Sequence, residues 1–418
     1  ADTMNIGAAV TGGGDINIAA ASRFRDILLG SEFVEFLSLT DSELDLLNPG
    51  SGTLRITNDG KEGIFVGLIS PLNVTTLSLR SSSNIGGGFV TVPNLAVRAG
   101  TLVSLNGNND VGTIALVSEY SSVQFAHGGS GPLTVGTVDG LSGIQAIGGI
   151  ELAANEMNIN QLVSAISAFG QVNLRPFSTT RPVTLGTKPG GTLGFLESEL
   201  NLFRASRLSI TNTGNMVVTA PINVSGPHAL RLNTSDGLFP FSGTVVISNP
   251  FTVSGDLEIW TGALSVAAPL TSGSGMLDLA ANSMTFGSTI TAPTVVLRPG
   301  RLLTAIDIGG PDVISTTNTL GFDAADLGNL RTGNLTFGGN DTPLITVSAA
   351  TNLGSIPVTL NSNWTSTSSI NINAALATTG NVTFRSDNLF IPPSGSVSGA
   401  NVTLIARTSV GTIDLGTL

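Results

Sequence analysis

Short apolar–polar alternations run along the whole chain, each closed by Gly, Asn, Ser or Pro. INIAA (16–20), TLRIT (53–57), TTLSLR (75–80) and TVVIS (244–248) repeat every second position on one face. So do DLEIW (256–260), ALSVAA (263–268), SININA (369–374), NVTFRS (381–386) and NVTLIA (401–406). A period of two between turn formers predicts strands. Helical patterning is nearly absent. LVSAISAF (162–169) fits either a short helix or a strand with a turn, and DSELDLL (41–47), ESELNLF (197–203) and AADLGNL (324–330) each fit one helical turn by leucine spacing.

These strands are too short and too evenly spread to alternate with helices in a doubly wound sheet. A sandwich would place Asn-Gly or Asp-Gly at regular hairpin spacing. The pairs at 59–60, 106–107, 139–140 and 236–237 show no such spacing. An all-β, right-handed parallel β-helix (β-solenoid) fits better, with small residues at the corners and aliphatic side chains stacked inside. At roughly 20 to 22 residues per coil the chain makes about 19 coils, which at about 4.8 Å each give a rod on the order of 90 Å long.

One stretch recurs. In 171–222 an Arg175-Pro176 pair is followed by a strand closing on Gly186, then LGF (193–195), Glu199-Leu200 and LSI (208–210). A second copy has Arg298-Pro299, IDIG closing on Gly309, LGF (320–322), Asp326-Leu327 and LTF (335–337). A more worn copy has DILLG closing on Gly30, LSL (37–39), Glu43-Leu44 and LRI (54–56). The closing glycine precedes the leucine by 14 residues in two copies (Gly30 to Leu44, Gly186 to Leu200) and by 18 in the third (Gly309 to Leu327). The chain therefore reads as one continuous solenoid of divergent repeats at about 16–172, 173–295 and 296–405, with 406–418 (TIDLG at 412–416) starting a further copy.

Composition narrows the function. Charged residues make up 11 % of the 418, against about 25 % in ordinary globular chains. A hydrophobic fraction of 41 % excludes disorder as the main state. The net charge of −11 argues against nucleic-acid binding and against docking on anionic membranes. No apolar run is long enough for a transmembrane helix, and the first residues, ADTMNIGAAV, lack a signal-peptide pattern. The chain has no Cys, which excludes a disulfide framework and thiolate metal sites and suits export in an unfolded state.

The pattern LRP, strand-to-Gly, LG, Glu/Asp-Leu and Leu-x-Ile resembles repeats of filamentous-haemagglutinin-like exoproteins, most closely over 173–210 and 296–337. That resemblance implies a parallel β-helix within a large bacterial surface adhesin exported by two-partner secretion. It also implies an outer-membrane transporter as export partner and a role in adhesion, biofilm or cell contact. It carries no catalytic residues.

Candidate chemistry is sparse. With only two histidines (His127 and His228), neither a His-based triad nor a multi-His metal site is built. His127 in AHGGSG reads as a loop residue and His228, after Gly226-Pro227, as a corner. The acidic groups Asp41/Glu43/Asp45, Asp59/Glu62 and Asp323/Asp326 are the only candidates for glycosidase-type carboxylates or calcium ligands. Because they recur in the copies they read as structural, and no calcium nonapeptide is present. Gly86-Gly87-Gly88, Gly148-Gly149 and Gly309-Gly310 read as corners needing positive φ. Arg175 and Arg298 read as corner caps or salt bridges. Asn-x-Ser/Thr sequons at Asn73, Asn223, Asn233, Asn334, Asn340, Asn363, Asn381 and Asn401 read as chance in an Asn/Thr-rich chain. Thr-rich stretches (75–76, 365–367, 378–379) show no Thr-x-Thr at coil spacing.

The expectation is a secreted, non-enzymatic, adhesive segment of a surface fibre, extracellular and cofactor-free. It would assemble end to end with itself or with adjacent repeats, display itself to a glycan or protein receptor on a host or neighbouring cell, and bind neither nucleic acid nor membrane interior. A carbohydrate-active β-helix enzyme and a trimeric spike are the alternatives.

Overall fold

The computed structural model describes residues 4–22, 24–235, 242–301, 303–312, 319–362 and 368–406. The copy expected at 406–418, the Asp236-Gly237 pair, Asn363 and 365–367 lie outside these, apart from Ala406. The chain is all-β, with 54 % of residues in strands and 3 % in helices, and its strands pair mainly in parallel. It packs as two compact units. The first comprises Ala1–Arg181, Lys188–Ser209 and Gly226–His228, the second Pro182–Thr187, Ile210–Ser225 and Ala229–Leu418.

In the first unit, successive passes of the chain bring one residue of each strand into register with its neighbours. Ile18, Ile56, Leu79, Val97, Leu116, Ile144, Val163 and Phe203 form one continuous row. Ile64, Ile85, Val103, Val123, Ile150 and Val172 form a second. All of these side chains are buried. The period-two pattern of each strand thus becomes an aliphatic stack from strand to strand, each side chain contributing about 1.5–3 kcal/mol of apolar burial.

The strands Ile85–Ala99 and Val103–Ser118 run much longer than the alternation suggests, because they turn a corner without breaking. Between them the register shifts from Leu105 to Asp110. Asn109 fills that irregularity, donating to the carbonyls of Leu105 (2.9 Å) and Ala126 (2.8 Å) while accepting from Val90 N–H (3.0 Å). Gly87 and Gly88 take φ of +113° and +121° at the same corner, which only glycine adopts without strain.

Among the described residues of this unit, one pairing is antiparallel. Thr137–Val138 and Leu141–Ser142 form a two-residue hairpin, with Asp139 and Gly140 at φ +47° and +76°. Positive φ at both turn residues is the type I′ geometry that Asp-Gly favours. The Asp139-Gly140 pair therefore does make a hairpin, in isolation. Its Val138 and Leu141 lie on Ala96 and Ala115, small residues that leave room above the sheet.

The second unit follows the same logic. Leu232, Ile259, Leu279, Leu297, Phe337, Leu360, Phe384 and Leu404 stand in one row, and Ile306, Ile345, Ile370 and Leu389 in another. Phe286, Phe322 and Phe337 meet inside at centroid distances of 6.1 and 5.4 Å with tilted rings, adding aromatic contacts to the aliphatic stack. The segment 162–169 resolves as the strand Val163–Ala165 followed by a turn.

Candidate functional site

The recurring motif is a built device. Its three short helices are α1 (Asp41–Leu44), α2 (Glu197–Leu200) and α3 (Ala324–Gly328). In the first copy Gly30, at φ +91°, closes the strand Ile27–Leu29. The chain then returns as Leu37–Leu39 parallel to that strand, on the side opposite its other neighbour, Ile64–Ile69. In the third copy Gly309, at φ +97°, closes Ala305–Ile308, and Thr319–Phe322 returns in the same way opposite Leu344–Val347. Gly186 takes φ +103° at the matching place. Leu44, Leu200 and Leu327 are buried beneath the helical turns.

The acidic residue before each leucine ties strands together. Glu43 accepts from Ile6 N–H (3.0 Å) with one carboxylate oxygen and from Thr40 N–H (2.9 Å) with the other. Glu199 repeats this with Ile159 N–H and Leu196 N–H, both at 2.9 Å. Asp326 accepts from Phe286 N–H (2.7 Å), while Asp323 caps α3 through the N–H groups of Ala325 and Asp326 (2.8 and 3.0 Å). Each carboxylate satisfies a backbone N–H group far away in the chain, two of them in strands, and two of the three also satisfy the helix N-cap. Burial pushes the Glu43 carboxyl up, but the Ile6 and Thr40 bonds outweigh it and hold the group below its usual range.

The remaining acidic candidates are also tied to backbone where contacts are seen. Asp41 accepts from Ser70 N–H (2.7 Å) and Asp45 from Leu72 N–H (2.8 Å), while Glu62 is half-buried and Asp59 exposed. Asp312, not singled out by the sequence, joins Asp323 and Asp326. Burial raises the Asp312 and Asp326 carboxyls, with backbone N–H donors opposing. Among the described residues no group of three or more His, Cys, Asp or Glu is arranged to hold a metal.

The arginines lie on strand faces. Arg175 pairs with Glu151 at 3.2 Å, and Arg298 grips Asp278 through two bonds of 2.8 and 2.7 Å. Pro176 directly follows the strand Gln171–Arg175, and Pro299 ends the strand Ile290–Pro299. Arg231 stacks on Trp260 at 3.9 Å and bonds Glu258 at 2.6 Å. A second cluster was not legible in the sequence. The hairpin tip Asp139 bonds the Arg55 Nε (3.1 and 2.9 Å) and Arg80 (2.9 Å), although it is remote from both in sequence. The Arg55 guanidinium holds the Asp139 carboxyl at about 2, against the burial that would raise it.

His127 corrects its sequence reading. It is the last residue of the strand Val123–His127 and is 1 % exposed. Nδ1 accepts from Val111 N–H (3.3 Å) and Nε2 faces the Gly131 carbonyl (2.9 Å), so the neutral ring carries its proton on Nε2. His228 is exposed. Of the glycine pairs, Gly87, Gly88 and Gly309 take positive φ. Gly148 and Gly310 do not; a Cβ there would come within 2.4 Å of Ser122 Oγ and 2.1 Å of Asp307 Oδ2. Those two positions need a small residue for close approach.

Three sequons fall in register. Thr336, Thr359, Thr383 and Thr403 stand side by side on four neighbouring strands, and Asn334, Asn381 and Asn401 each precede one of them by two residues. Asn401 Nδ2 donates to Asn381 Oδ1 at 3.0 Å.

Comparison with protein-family models, with curated proteins and with solved structures gives no match.

Proposed function

We propose that the chain is a secreted, non-enzymatic segment of a surface fibre or extracellular filament, serving adhesion, biofilm or cell contact. In this reading each unit is a stretch of right-handed parallel β-helix, with about 19 coils over the whole chain at roughly 20 to 22 residues each. The observation that carries it is the use made of the acidic residues. Glu43, Glu199 and Asp326, which a β-helical lyase or hydrolase would need in a cleft, are each committed to backbone N–H groups at equivalent points. Their chemistry holds strands in place, leaving the outward rows of Thr, Asn and ion pairs as display surface. Export through an outer-membrane transporter, a glycan or protein receptor, and lengthwise association with itself or adjacent repeats complete the proposal. They rest on the repeat pattern's resemblance to filamentous-haemagglutinin-like exoproteins.

Electron microscopy with X-ray diffraction of the aligned protein, over a concentration series, tests it. Filaments with a reflection near 4.8 Å along their length support the proposal. A compact monomer of concentration-independent sedimentation, or polysaccharide cleavage lost in Glu199→Gln, contradicts it.

A further inference from the structure

We propose that two molecules of this chain join by exchange, the stretch 389–405 of one displacing the stretch 4–19 of the other. This deepens the lengthwise association proposed above and rests on it. Its ground is a rule that the three repeats obey. Each motif is an excursion between two strands that pair with each other. Ile16–Ala19 pairs with Leu54–Asn58, Gln171–Arg175 with Arg207–Thr211, and residues 294–297 with 334–337. The stretch leading into each motif also sends one N–H to the motif's acidic residue. Ile6 reaches Glu43, 37 residues on. Ile159 reaches Glu199 and Phe286 reaches Asp326, each 40 residues on. A methionine stands two positions before that N–H every time, at Met4, Met157 and Met284.

The stretch 389–405 is a fourth lead-in of this kind. Leu389 is buried, Phe390 exposed and Ile391 half-buried, close to the alternation of Met284, Thr285 and Phe286. Val402–Ile405 then follows Ile391 as Ile16–Ala19 follows Ile6. Among the described residues no acidic-Leu motif comes after it, and no strand pairs with its far edge. Its inward side chains are therefore left open. Val402 is 49 % exposed, although Val358 and Val382 in the same row are 2 % and 0 %. The first motif has the complementary shortfall, because its own lead-in covers it poorly. Of residues 4–19 only Ile18 is buried. That stretch is held by backbone bonds from Val10, Gly12 and Ile16, by the Ile6 bond to Glu43, and by Asp15, which accepts from Thr53 N–H (2.9 Å) and pairs with Arg55. With Val402 and Leu404 in the places of Ile16 and Ile18, the aliphatic surface now open on both partners is buried against Leu54 and Ile56. One edge strand replaces another, so the ladder is kept and the gain is apolar burial. The two surfaces differ, so the contact is heterologous and can repeat from molecule to molecule.

Disulfide trapping between two single-cysteine chains tests the exchange, since the chain has no Cys of its own. In the exchanged register Ile405 takes the place of Ala19, which is level with Thr57. Mixed under mild oxidation, Ile405→Cys and Thr57→Cys should form a mixed disulfide, while Ile405→Cys and Thr359→Cys should not. Asp15→Ala, which removes the bonds to Thr53 and Arg55, should speed the trapping about fivefold. Val402→Glu, at a position too exposed to threaten folding, should slow it about tenfold; circular dichroism confirms that each variant is folded. Filaments whose chains fail to trap at 57 and 405 would overturn the exchange and leave lengthwise association standing, whereas monomers at every concentration would overturn both. Equal trapping at Thr57→Cys and Thr359→Cys, or trapping unmoved by Val402→Glu, would also overturn the exchange.

Discussion

Replacing Asp139 by Asn isolates one charge in the first unit. Asn tolerates positive φ at least as well as Asp, so the turn, at φ +47°, is preserved while the ion pairs to Arg55 and Arg80 are lost. Asp139 has 5 % of its side chain exposed, against 26 % for Arg55 and 36 % for Arg80, so the arginines can rehydrate but the aspartate cannot. Its carboxyl is held at about 2 against an ordinary 3.8, and at 1.36 kcal/mol for each tenfold change that corresponds to about 2 kcal/mol. For a unit of this size the thermal midpoint should fall by about 4–8 °C at pH 7. The sign with pH is definite. A depressed carboxyl stabilises above its unfolded value and loses that contribution as pH falls through the folded one. The gap between wild type and Asp139→Asn, followed by circular dichroism, should therefore shrink between pH 4 and pH 2. Equal midpoints at pH 7, or a gap unchanged at pH 2, would refute the clamp. Glu119→Gln is the control. It breaks an ion pair to Arg98 whose side chains are 35 % and 52 % exposed, and pairs that open contribute about 0–1 kcal/mol.

Other substitutions probe the repeat device and the core. Glu199→Gln keeps the shape but leaves one backbone N–H facing an amide NH₂ and removes the ion pair to Lys188 (2.7 Å); urea unfolding should show a loss of about 2–3 kcal/mol. Gly309→Ala forces a left-handed alanine whose Cβ sits 2.8 Å from that of Ala349, with a cost of about 1–3 kcal/mol. Gly328→Ala meets nothing within 4 Å and should be neutral or slightly stabilising in the same assay. His127→Ala should cost about 3 kcal/mol through the void and the stranded Val111 N–H, while His228→Ala at the surface should change stability by less than about 0.5 kcal/mol.

Much of the fold was legible in the sequence because a strand buried on one face must alternate. The strands around Ile56, Leu79, Ile259 and Ile370 and the three helical turns were read from local pattern alone. The Glu-Leu and Asp-Leu pairs stood out because a staple needs its carboxylate at one fixed position, whatever the loop before it. What escaped depends on contacts between residues far apart in the chain. Asp139-Gly140 is a strong hairpin signal, but nothing local says that its tip will reach Arg55. His127 resembled a loop residue because glycines follow it, and its burial comes from the neighbouring strand that carries Asn109.

The absence of cysteine makes the strand register directly measurable. Thr359 and Thr383 are in register on neighbouring parallel strands, and Thr383 pairs in turn with Thr403. Neighbouring Cα atoms at about 4.8 Å lie within the 4.4–6.8 Å that a disulfide spans, while atoms two strands apart, at about 9.6 Å, do not. The double variant Thr359→Cys/Thr383→Cys should therefore oxidise rapidly to an intramolecular disulfide, and Thr359→Cys/Thr403→Cys should remain reduced under the same conditions. Equal crosslinking of both pairs, or crosslinking of neither, would contradict the stacked parallel register on which the whole account stands.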